Sequence, residues 1–226
     1  MPRSVIITGA FGALGQVVAR AFAQAGDKVA RVDFAASAPS PLDGAIDIGG
    51  VDLTDIAATQ AALDTVVAAH GGIDVLINIA GGFTWETLDD GSIDAWARMQ
   101  NMNLMTAATI TKLALPYLTK GSESRIINMG AGAAVKAGAG MGAYGASKSG
   151  VHRLTEALAE ELADKGVTVN AILPSIIDTP TNRRDMPDAD VSQWVTADRI
   201  ADVMLFLASE QSHAVTGALI PVTRGG

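Results

Sequence analysis

Short runs of β-branched and other apolar residues recur along the chain and predict about seven strands. Some of them, such as 75–79, are apolar at nearly every position, as expected for strands buried on both faces. The predicted strands are 4–8, 28–33, 45–51, 75–79, 125–129, 167–173 and 218–222, and stretches of helical character include 17–25, 54–69, 95–118 and 143–162. Strands that alternate with helices pair in parallel, so we expect an α/β fold, a doubly wound parallel sheet with helices on both faces.

Two segments interrupt this alternation. Residues 39–44 contain Pro, Ser, Asp and Gly and are typical of a loop. Residues 174–195 are rich in Pro and Asp and show little periodicity, and we interpret them as a lid-like loop, because long loops in compact domains often cover functional sites. The chain of 226 residues shows no internal repeat or long linker, so 1–226 is predicted to form a single domain.

Composition excludes several classes of function. The chain has no cysteine, which rules out disulfides, thiol nucleophiles and cysteine-ligated zinc, and His70, His152 and His213 lack the spacing of metal ligands. The net charge of -8 would repel a nucleic-acid backbone. The apolar run near the amino terminus is too short for a signal peptide or a membrane span. We therefore expect a cytoplasmic protein that binds a small molecule, with no metal, nucleic acid or membrane as partner.

The first predicted strand leads into a glycine-rich turn, Gly9-Ala10-Phe11-Gly12-Ala13-Leu14-Gly15, and an amphipathic helix follows. Glycines let the backbone approach a pyrophosphate closely, and the amino terminus of the helix favours its charge. A tight turn without a ligand would show the same glycines. No Gly-Lys-Ser/Thr follows, so the turn is not an ATP-type phosphate loop.

Asp33 lies eighteen residues after Gly15, at the end of the second predicted strand. Its carboxylate could bond the two adenosine ribose hydroxyls and would repel a 2′-phosphate. Neither Phe11 nor Phe34 supplies a positive charge that would compensate this repulsion. Phe34 could instead line the adenine site. Alternation places the Arg31 side chain on the same face as Asp33, so it could still reach the ribose edge. We predict that the cofactor is NAD(H) in preference to NADP(H).

Tyr144 and Lys148 stand four residues apart, a spacing that places both side chains on one helical face. An ammonium about 4 Å from the phenol, at an effective dielectric of about 20, would stabilise its anion by roughly 4 kcal/mol. That could bring the tyrosine pKa from about 10 toward neutrality, where the group can pass a proton to a substrate. The same spacing also arises by chance on solvated helices.

Taken in register, six motifs resemble the short-chain dehydrogenase/reductase family, and the resemblance covers essentially the whole chain. The motifs are the turn from Thr8 to Gly15, Asp52-Leu53, Asn78-Ile79-Ala80-Gly81, Asn103, Tyr144-x-x-x-Lys148 and the segment from Pro174 to Thr179. The resemblance implies a Rossmann-type fold and an oxidoreductase that transfers a hydride to or from NAD(H). A catalytically silent NAD(H)-binding redox sensor or scaffold is the alternative, although retention of both Tyr144 and Lys148 argues against it.

The resemblance also implies roles for individual residues. Asn103 would hold a water in a proton relay, and Lys148 would bond the nicotinamide ribose and lower the pKa of Tyr144. Asp52 would meet the adenine ring with Leu53, although it could also cap the helix 54–69. The implied catalytic residues are Tyr144, Lys148 and Asn103. The predicted cofactor residues are Gly9, Phe11, Gly12, Ala13, Leu14, Gly15, Asp33, Phe34, Asp52, Leu53, Asn78, Ala80, Gly81, Tyr144, Lys148, Pro174, Ile177 and Thr179.

The departures from the family pattern concern the substrate. Most members place a serine thirteen residues before the tyrosine, where this chain has Ala131, and no serine or threonine lies between Arg125 and Tyr144. Ala13 also stands where the middle glycine is usual. One branch shares these two departures, and the chain resembles a bacterial relative of dihydropteridine reductase, most extensively over 173–183 and 186–190. Asn103 departs from that branch.

A missing serine has two interpretations. A quinonoid dihydropterin has a ring nitrogen that can take a proton from Tyr144 without a second donor, whereas a ketone could lose on the order of 10²-fold in rate. Alternatively, a water replaces the hydroxyl and the substrate is a small carbonyl or alcohol. The residues expected to border the substrate are Ala131, Gly82, Phe83, Trp85, Met141, Met186 and Trp194, although both tryptophans could simply pack the lid.

The predicted helices 95–118 and 143–162 are long and rich in alanine. The corresponding helices of the family commonly pair across a twofold interface, so the resemblance implies a homodimer or homotetramer. A buried core helix would have the same composition.

Overall fold

The protein is described by a computed structural model of residues 2–121 and 123–223. Its strands are β1 (Ser4–Thr8), β2 (Lys28–Val32), β3 (Ile46–Ile48), β4 (Val75–Asn78), β5 (Ser124–Met129), β6 (Val167–Pro174), β7 (Ile177–Asp178), β8 (Val195–Thr196) and β9 (Leu219–Val222). Seven of them form one parallel sheet in the order β3-β2-β1-β4-β5-β6-β9. The predicted Rossmann-type doubly wound sheet is confirmed, and each of the seven predicted strands corresponds to one of these.

Helices cover both faces of the sheet, as expected when every strand is apolar on both sides. They are α1 (Ala13–Gln24), α2 (Ile56–His70), α3 (Ile93–Met99), α4 (Thr106–Leu118), α5 (Gly142–Glu161), α6 (Pro180–Asp185) and α7 (Ala197–Leu207). One core joins α1 and α7 to the sheet, and a second core joins α2, α4 and α5 to the opposite face. Among the described helices none is long and apolar enough to cross a membrane.

The predicted single helix over 95–118 is wrong in one respect. A π-helical segment, Gln100–Met105, separates α3 from α4. A π turn holds one residue more than an α turn, so it shifts the direction of the side chains that follow. Asn103 lies in this segment and is buried.

The predicted lid-like loop over 174–195 contains regular structure. It includes β7, α6 and a short 3₁₀ turn, Val191–Gln193, and β7 pairs in parallel with β8. Thr179 caps α6, because its hydroxyl accepts a hydrogen bond from Asn182 N at 3.2 Å. The small sheet ties the two ends of the segment together.

The strand order reverses between β1 and β4, which are neighbours in the sheet although α1, β2, β3 and α2 lie between them in the chain. In open α/β sheets a crevice forms at this point, beyond the carboxyl ends of the strands. Gly9 follows β1 and Ala80 follows β4, so both lie at this crevice.

Candidate functional site

A cleft of about 1140 Å³ opens at this crevice. Thirteen of the predicted cofactor residues line it: Gly9, Phe11, Gly12, Ala13, Leu14, Gly15, Asp33, Phe34, Asp52, Leu53, Ala80, Gly81 and Thr179. Asn78, Tyr144, Lys148, Pro174 and Ile177 do not line it. The structure therefore places the residues predicted for the adenosine and phosphate groups around one cavity, and the Tyr-Lys pair outside its wall.

The glycine-rich turn brings the amino terminus of α1 to the cleft. Gly9 adopts a φ of 64°, and a Cβ there would lie 2.8 Å from Ala80 N, so only glycine fits between β1 and β4. Gly12 is the N-cap of α1 and supplies no side-chain hydrogen bond, and the first turn carries no acidic residue. The first N–H groups of α1 are thus left without a capping side chain, as an anion site requires.

Asp33 follows β2 and presents its carboxylate to the cleft. Its Oδ2 accepts a hydrogen bond from Phe11 N at 2.8 Å and its Oδ1 accepts one from Ala35 N at 2.9 Å. These two bonds fix the orientation of the carboxyl group and leave further lone pairs for a ligand. The neighbouring Phe34 side chain is 75% exposed at the rim.

The prediction that Arg31 could reach the ribose edge is wrong in this structure. Its side chain is 2% exposed and forms an ion pair with Asp47 on β3, with Nε 2.6 Å from Oδ1. Strand pairing explains the contact, because Arg31 and Asp47 are register partners between β2 and β3. Arg31 is therefore paired behind the wall of the cleft, which it does not line.

Asp52 and Leu53 line the cleft beside Asp33, but Asp52 is not a helix cap. Its Oδ1 accepts bonds from Thr54 N at 2.9 Å and from the Thr54 hydroxyl at 2.7 Å. The Thr54 hydroxyl is the main cause that holds the pKa of Asp52 below its usual value. The cap of α2 is Asp55, which accepts from Ala57 N and Ala58 N.

Tyr144 and Lys148 lie in the first half of α5. Lys148 is buried, and its Nζ donates to Met129 O at the end of β5 at 2.8 Å. The Tyr144 ring contacts the Phe83 ring edge-on, with centroids 5.0 Å apart. Burial raises the pKa of Tyr144 to about 12 and lowers that of Lys148 to about 8. The expected shift of the tyrosine toward neutrality is absent here, because loss of hydration destabilises both charged forms.

Asn103 reaches the same place from the π-helical segment. Its Oδ1 accepts from Gly82 N at 2.9 Å, while its Nδ2 donates to Gly82 O at 3.1 Å and to Ser147 Oγ at 3.0 Å. A Cβ on Gly81 would collide with Asn103 Oδ1 and lie 3.5 Å from Lys148 Nζ. The side chains of Asn103 and Lys148 therefore meet beside Gly81, where the cleft ends.

Asn78 braces the sheet. Its Nδ2 donates to Thr111 Oγ1 at 3.0 Å and to Asn128 Oδ1 at 2.9 Å, and Asn128 continues the chain to Thr155. The network links β4 and β5 to α4 and α5. It fixes the relative position of the strand ends that carry Gly81 and Met129.

Ala131 lies in the loop after β5 and is buried. Its N–H donates to His152 Nε2 at 3.4 Å. Burial is the main cause that lowers the pKa of His152. An imidazole nitrogen that accepts a hydrogen bond carries no proton itself. Sequence reasoning missed His152, although it stands four residues after Lys148 and thus on the same face of α5.

The residues predicted to border the substrate separate into two groups. Phe83 contacts Tyr144, Met141 is the N-cap of α5, and Trp85 packs against Gly140, whose carbonyl accepts from Glu86 N at 2.9 Å. Gly82 is held by Asn103. By contrast, Trp194 is 4% exposed, so packing within the lid explains it better than substrate contact. Met186 is half-buried at the carboxyl end of α6. No contact described for it involves Phe83, Trp85 or Met141.

Several residues of the cleft were not predicted from the sequence. Ala35, Ser37 and Pro39 belong to the loop after β2, and Arg98 lies on α3. Arg98 is the one basic residue in the cleft wall among the described residues, and it pairs with Glu86 at 3.2 Å. The proline and serine of the loop were visible as loop signals, but no local pattern shows that a loop folds over a cleft. Within the described residues there is no cluster of three or more His, Asp or Glu side chains that could hold a metal.

Comparisons with known proteins agree with this geometry. A family model described as short chain dehydrogenase matches residues 3–190. The chain is 30% identical to a 3-oxoacyl-[acyl-carrier-protein] reductase of Thermotoga maritima, over 97% of this chain and 96% of that protein. It is 31% identical to a meso-2,3-butanediol dehydrogenase of Serratia marcescens, over 98% and 93%. The crystal structure of an NAD⁺-bound xylitol dehydrogenase superposes with a TM-score of 0.88 at 25% identity, covering 99% of this chain and 98% of that one.

Proposed function

Because the chain belongs to the short-chain dehydrogenase/reductase family, we propose that it transfers a hydride between NAD(H) and a small carbonyl, alcohol or conjugated-ring substrate. The observation that carries the proposal is that Lys148 and Asn103 meet next to Gly81, at the end of a cleft with a free helix amino terminus, with Tyr144 one helical turn before Lys148 and against Phe83. The named relatives are oxidoreductases, which gives no support to a catalytically silent sensor.

The cleft fits a nicotinamide dinucleotide. The uncapped amino terminus of α1 would take the pyrophosphate, and Asp33 would take the adenosine ribose while Asp52 and Leu53 border the adenine. Thr179 reaches the same cavity from the lid segment, with Pro174 and Ile177 supporting it from β6 and β7. The oriented Asp33 carboxylate supports a preference for NAD(H) over NADP(H). The solved xylitol dehydrogenase carries NAD⁺, which supports the same class of cofactor.

When bound, the nicotinamide supplies or accepts the hydride. Tyr144 would donate a proton to the substrate atom that gains negative charge, and a pKa of about 12 keeps its hydroxyl protonated at neutral pH. Lys148, held by Met129 O, would bond the nicotinamide ribose and supply a positive charge next to the phenol. Asn103 would hold the water that returns protons from solvent.

The surroundings of Tyr144 support one of the two substrate classes. Ala131 offers no hydroxyl, and its N–H is engaged by His152, so this loop supplies no obvious second donor to a carbonyl oxygen. Phe83 and Trp85 are 55% and 59% exposed and offer aromatic surface beside the proton donor. Both features support a conjugated ring such as a quinonoid dihydropterin, in keeping with the resemblance to the dihydropteridine reductase branch. The names of the relatives support a carbonyl or alcohol instead.

An assay of NADH oxidation separates these substrates. We expect turnover with quinonoid dihydropterin or with members of a ketone panel, and in either case a turnover number about 10²- to 10⁴-fold lower with Tyr144→Phe. Efficient reduction of a ketone without reduction of the pterin would exclude the pterin. Tight NADH binding without turnover on pterin, quinones or ketones would instead favour the silent sensor.

Membership of the family supports a proposal on assembly. We infer a homodimer or homotetramer formed through α4 and α5, in the cytoplasm. Met105, which precedes α4, is 45% exposed. Sedimentation velocity would distinguish a monomer from either oligomer.

A further inference from the structure

The ion pair between Arg31 and Asp47 lies behind the end of the cleft that carries Asp33, and the proposed function leaves it unexplained. Arg31 donates twice, from Nε to Asp47 Oδ1 at 2.6 Å and from Nη2 to Asp47 Oδ2 at 2.7 Å. The arginine side chain is 2% exposed, whereas that of Asp47 is 38% exposed. Burying a guanidinium costs desolvation that an ion pair only partly offsets, so stability alone is a weak reason for the pair.

Arg31 lies one aromatic ring away from the cleft. Its guanidinium carbon is 5.7 Å from the centroid of the Phe11 ring, and Phe11 lines the cleft. Arg31 lies in β2 and Asp33 directly after it, two residues on, so extended backbone puts their Cα atoms about 7 Å apart. An arginine side chain can span that distance. Its pairing with Asp47, together with a bond to Ser40 O, directs it away from the Asp33 side.

The same arginine holds the loop that forms the cleft wall. Its Nη2 donates to Ser40 O at 3.1 Å, the Ser40 hydroxyl donates to Gln16 Oε1 at 3.0 Å, and Gln16 Nε2 donates to Phe11 O at 3.0 Å. This chain of bonds joins the loop after β2 to the glycine-rich turn. Arg31 therefore shapes the ribose end of the cleft without entering it.

We propose that Asp47 is a specificity-determining residue for the cofactor, because it withholds Arg31 from the ribose edge. The charged residues that line the cleft, among those described, are Asp33, Asp52, Asp94 and Arg98, and Arg98 is already paired with Glu86. A 2′-phosphate requires an arginine in place of the acidic residue. With Arg31 paired to Asp47, the ribose end presents the Asp33 carboxylate and no cation. The inference rests on the proposed use of NAD(H).

The experiment releases Arg31 in two steps. Asp33→Ser removes the carboxylate that would otherwise capture the freed arginine, and Asp33→Ser/Asp47→Asn then removes its present partner. The dissociation constants of NADPH and NADH are measured by fluorescence titration, and those of adenosine 2′,5′-bisphosphate and AMP by calorimetry. We expect the double variant to bind NADPH at least about tenfold more tightly than Asp33→Ser, with the affinity for NADH changed less than about twofold.

Two controls test whether Arg31 is the group that binds the 2′-phosphate. Adding Arg31→Met to the double variant should abolish the gain for NADPH and for the bisphosphate. Asp43→Asn in the Asp33→Ser background should leave both constants unchanged, because Asp43 is an exposed carboxylate on the same loop. A folded double variant without tighter NADPH binding would overturn the proposal, and so would a gain that survives Arg31→Met.

A second variant keeps the proposal testable if Asp47→Asn does not fold. Circular dichroism and thermal melting check each protein. If Asp47→Asn prevents folding, Asp47→Glu keeps the charge but displaces the guanidinium, and we expect a smaller gain for NADPH in the same direction; no gain would count against the proposal. Failure of the proposed function looks different, because the unchanged protein would then bind neither NADH nor NADPH.

Discussion

Tyr144 owes its chemistry to burial and to position. Loss of hydration raises the pKa of its hydroxyl to about 12, so the phenol keeps its proton at neutral pH and is ready to donate it. Lys148 is buried in the same region, with a pKa lowered to about 8, and therefore stays mostly charged near pH 7. At neutral pH the tyrosine is therefore the protonated neutral member of the pair, and the lysine is the charged one.

Replacing Tyr144 by phenylalanine removes this acid and little else. We expect the turnover number with the best acceptor of the panel to fall by about 10²- to 10⁴-fold, the usual contribution of a positioned acid or base. The dissociation constant of NADH should stay within about twofold, since the hydroxyl lies outside the wall of the cleft. Steady-state NADH oxidation and fluorescence titration measure the two quantities.

Tyr117 provides the matched control for this substitution. It is the only other tyrosine of the chain, and its hydroxyl makes a surface hydrogen bond to Asp64 at 3.4 Å. Tyr117→Phe should leave turnover and NADH binding unchanged. Equal turnover in Tyr144→Phe and the unchanged protein would show that another group donates the proton.

At the scale of elements, the π-helical segment Gln100–Met105 decides where Asn103 points. An uninterrupted α-helix over 95–118 would direct the side chains after the π turn elsewhere, because each residue advances by about 100°. In the structure, Asn103 instead holds both the N–H and the carbonyl of Gly82. Gly82 leads directly to Phe83, whose ring packs on Tyr144. The π-helical segment therefore positions Gly82 and Phe83, on the substrate side of the site, through the Asn103 carboxamide.

Asn103→Ala should release Gly82 and the aromatic residues after it. We expect the KM for the acceptor to rise and the turnover number to fall, each by about tenfold, because the two hydrogen bonds that hold Gly82, of about 1 kcal/mol each, are lost at the site. The NADH dissociation constant should change much less. Gln100→Ala in the same π-helical segment is the control. Unchanged KM and turnover in Asn103→Ala would remove Asn103 from the site.

The sequence predicted the elements well where the physics is local. Seven apolar runs became the seven strands of the main sheet, because a strand buried on both faces needs apolar residues at successive positions. The π turn, the pairing of β7 with β8 and the helix α6 were not predicted. The strand pair depends on residues distant in the chain, Ile177 with Val195, and Asn103 in the π turn is held by the distant Gly82, which no short window shows. The Thr179 cap and Pro180 of α6 are local signals that were not recognised.

The same division holds for the site. Motif positions brought Gly9, Asp33 and Thr179 to one cleft. The partner of Arg31 could not be predicted from strand alternation, because the face of a strand does not specify which neighbouring side chain lies opposite. The effect of burial on Tyr144 was also missed, since a charge placed beside a phenol was weighed without the hydration that both groups lose.

At the scale of the whole molecule, the site costs stability. Folding transfers the Lys148 ammonium from water into the region between α5 and β5, and the pKa of the lysine falls from 10.5 to about 8. The seven-stranded sheet and its two cores supply the burial that offsets this cost. The fold therefore keeps the poorly hydrated Lys148 ammonium at the carboxyl end of β5. The pH dependence of the free energy of unfolding can reveal this cost.

The sign of that dependence follows from proton counting. Between about pH 8 and 10.5 the unfolded state binds more protons at Lys148 than the folded state does, so the free energy of unfolding should rise with pH. Tyr144 acts in the opposite direction above about pH 10, since its folded-state pKa of about 12 exceeds its ordinary value of 10.0. Of these two groups, therefore, only Lys148 changes the free energy of unfolding between about pH 8 and 10.

Lys148→Met isolates the effect, because it fills the space without a charge. We expect this variant to be more stable than the unchanged protein at about pH 7.5, and the difference to shrink as the pH rises to about 9.5, where folded Lys148 is already largely neutral while the unfolded lysine still binds its proton. Urea denaturation at several pH values measures the free energy of unfolding of both proteins. A difference that stays constant across the window would mean that Lys148 remains fully charged in the folded protein, and that Met129 O and nearby groups compensate its lost hydration.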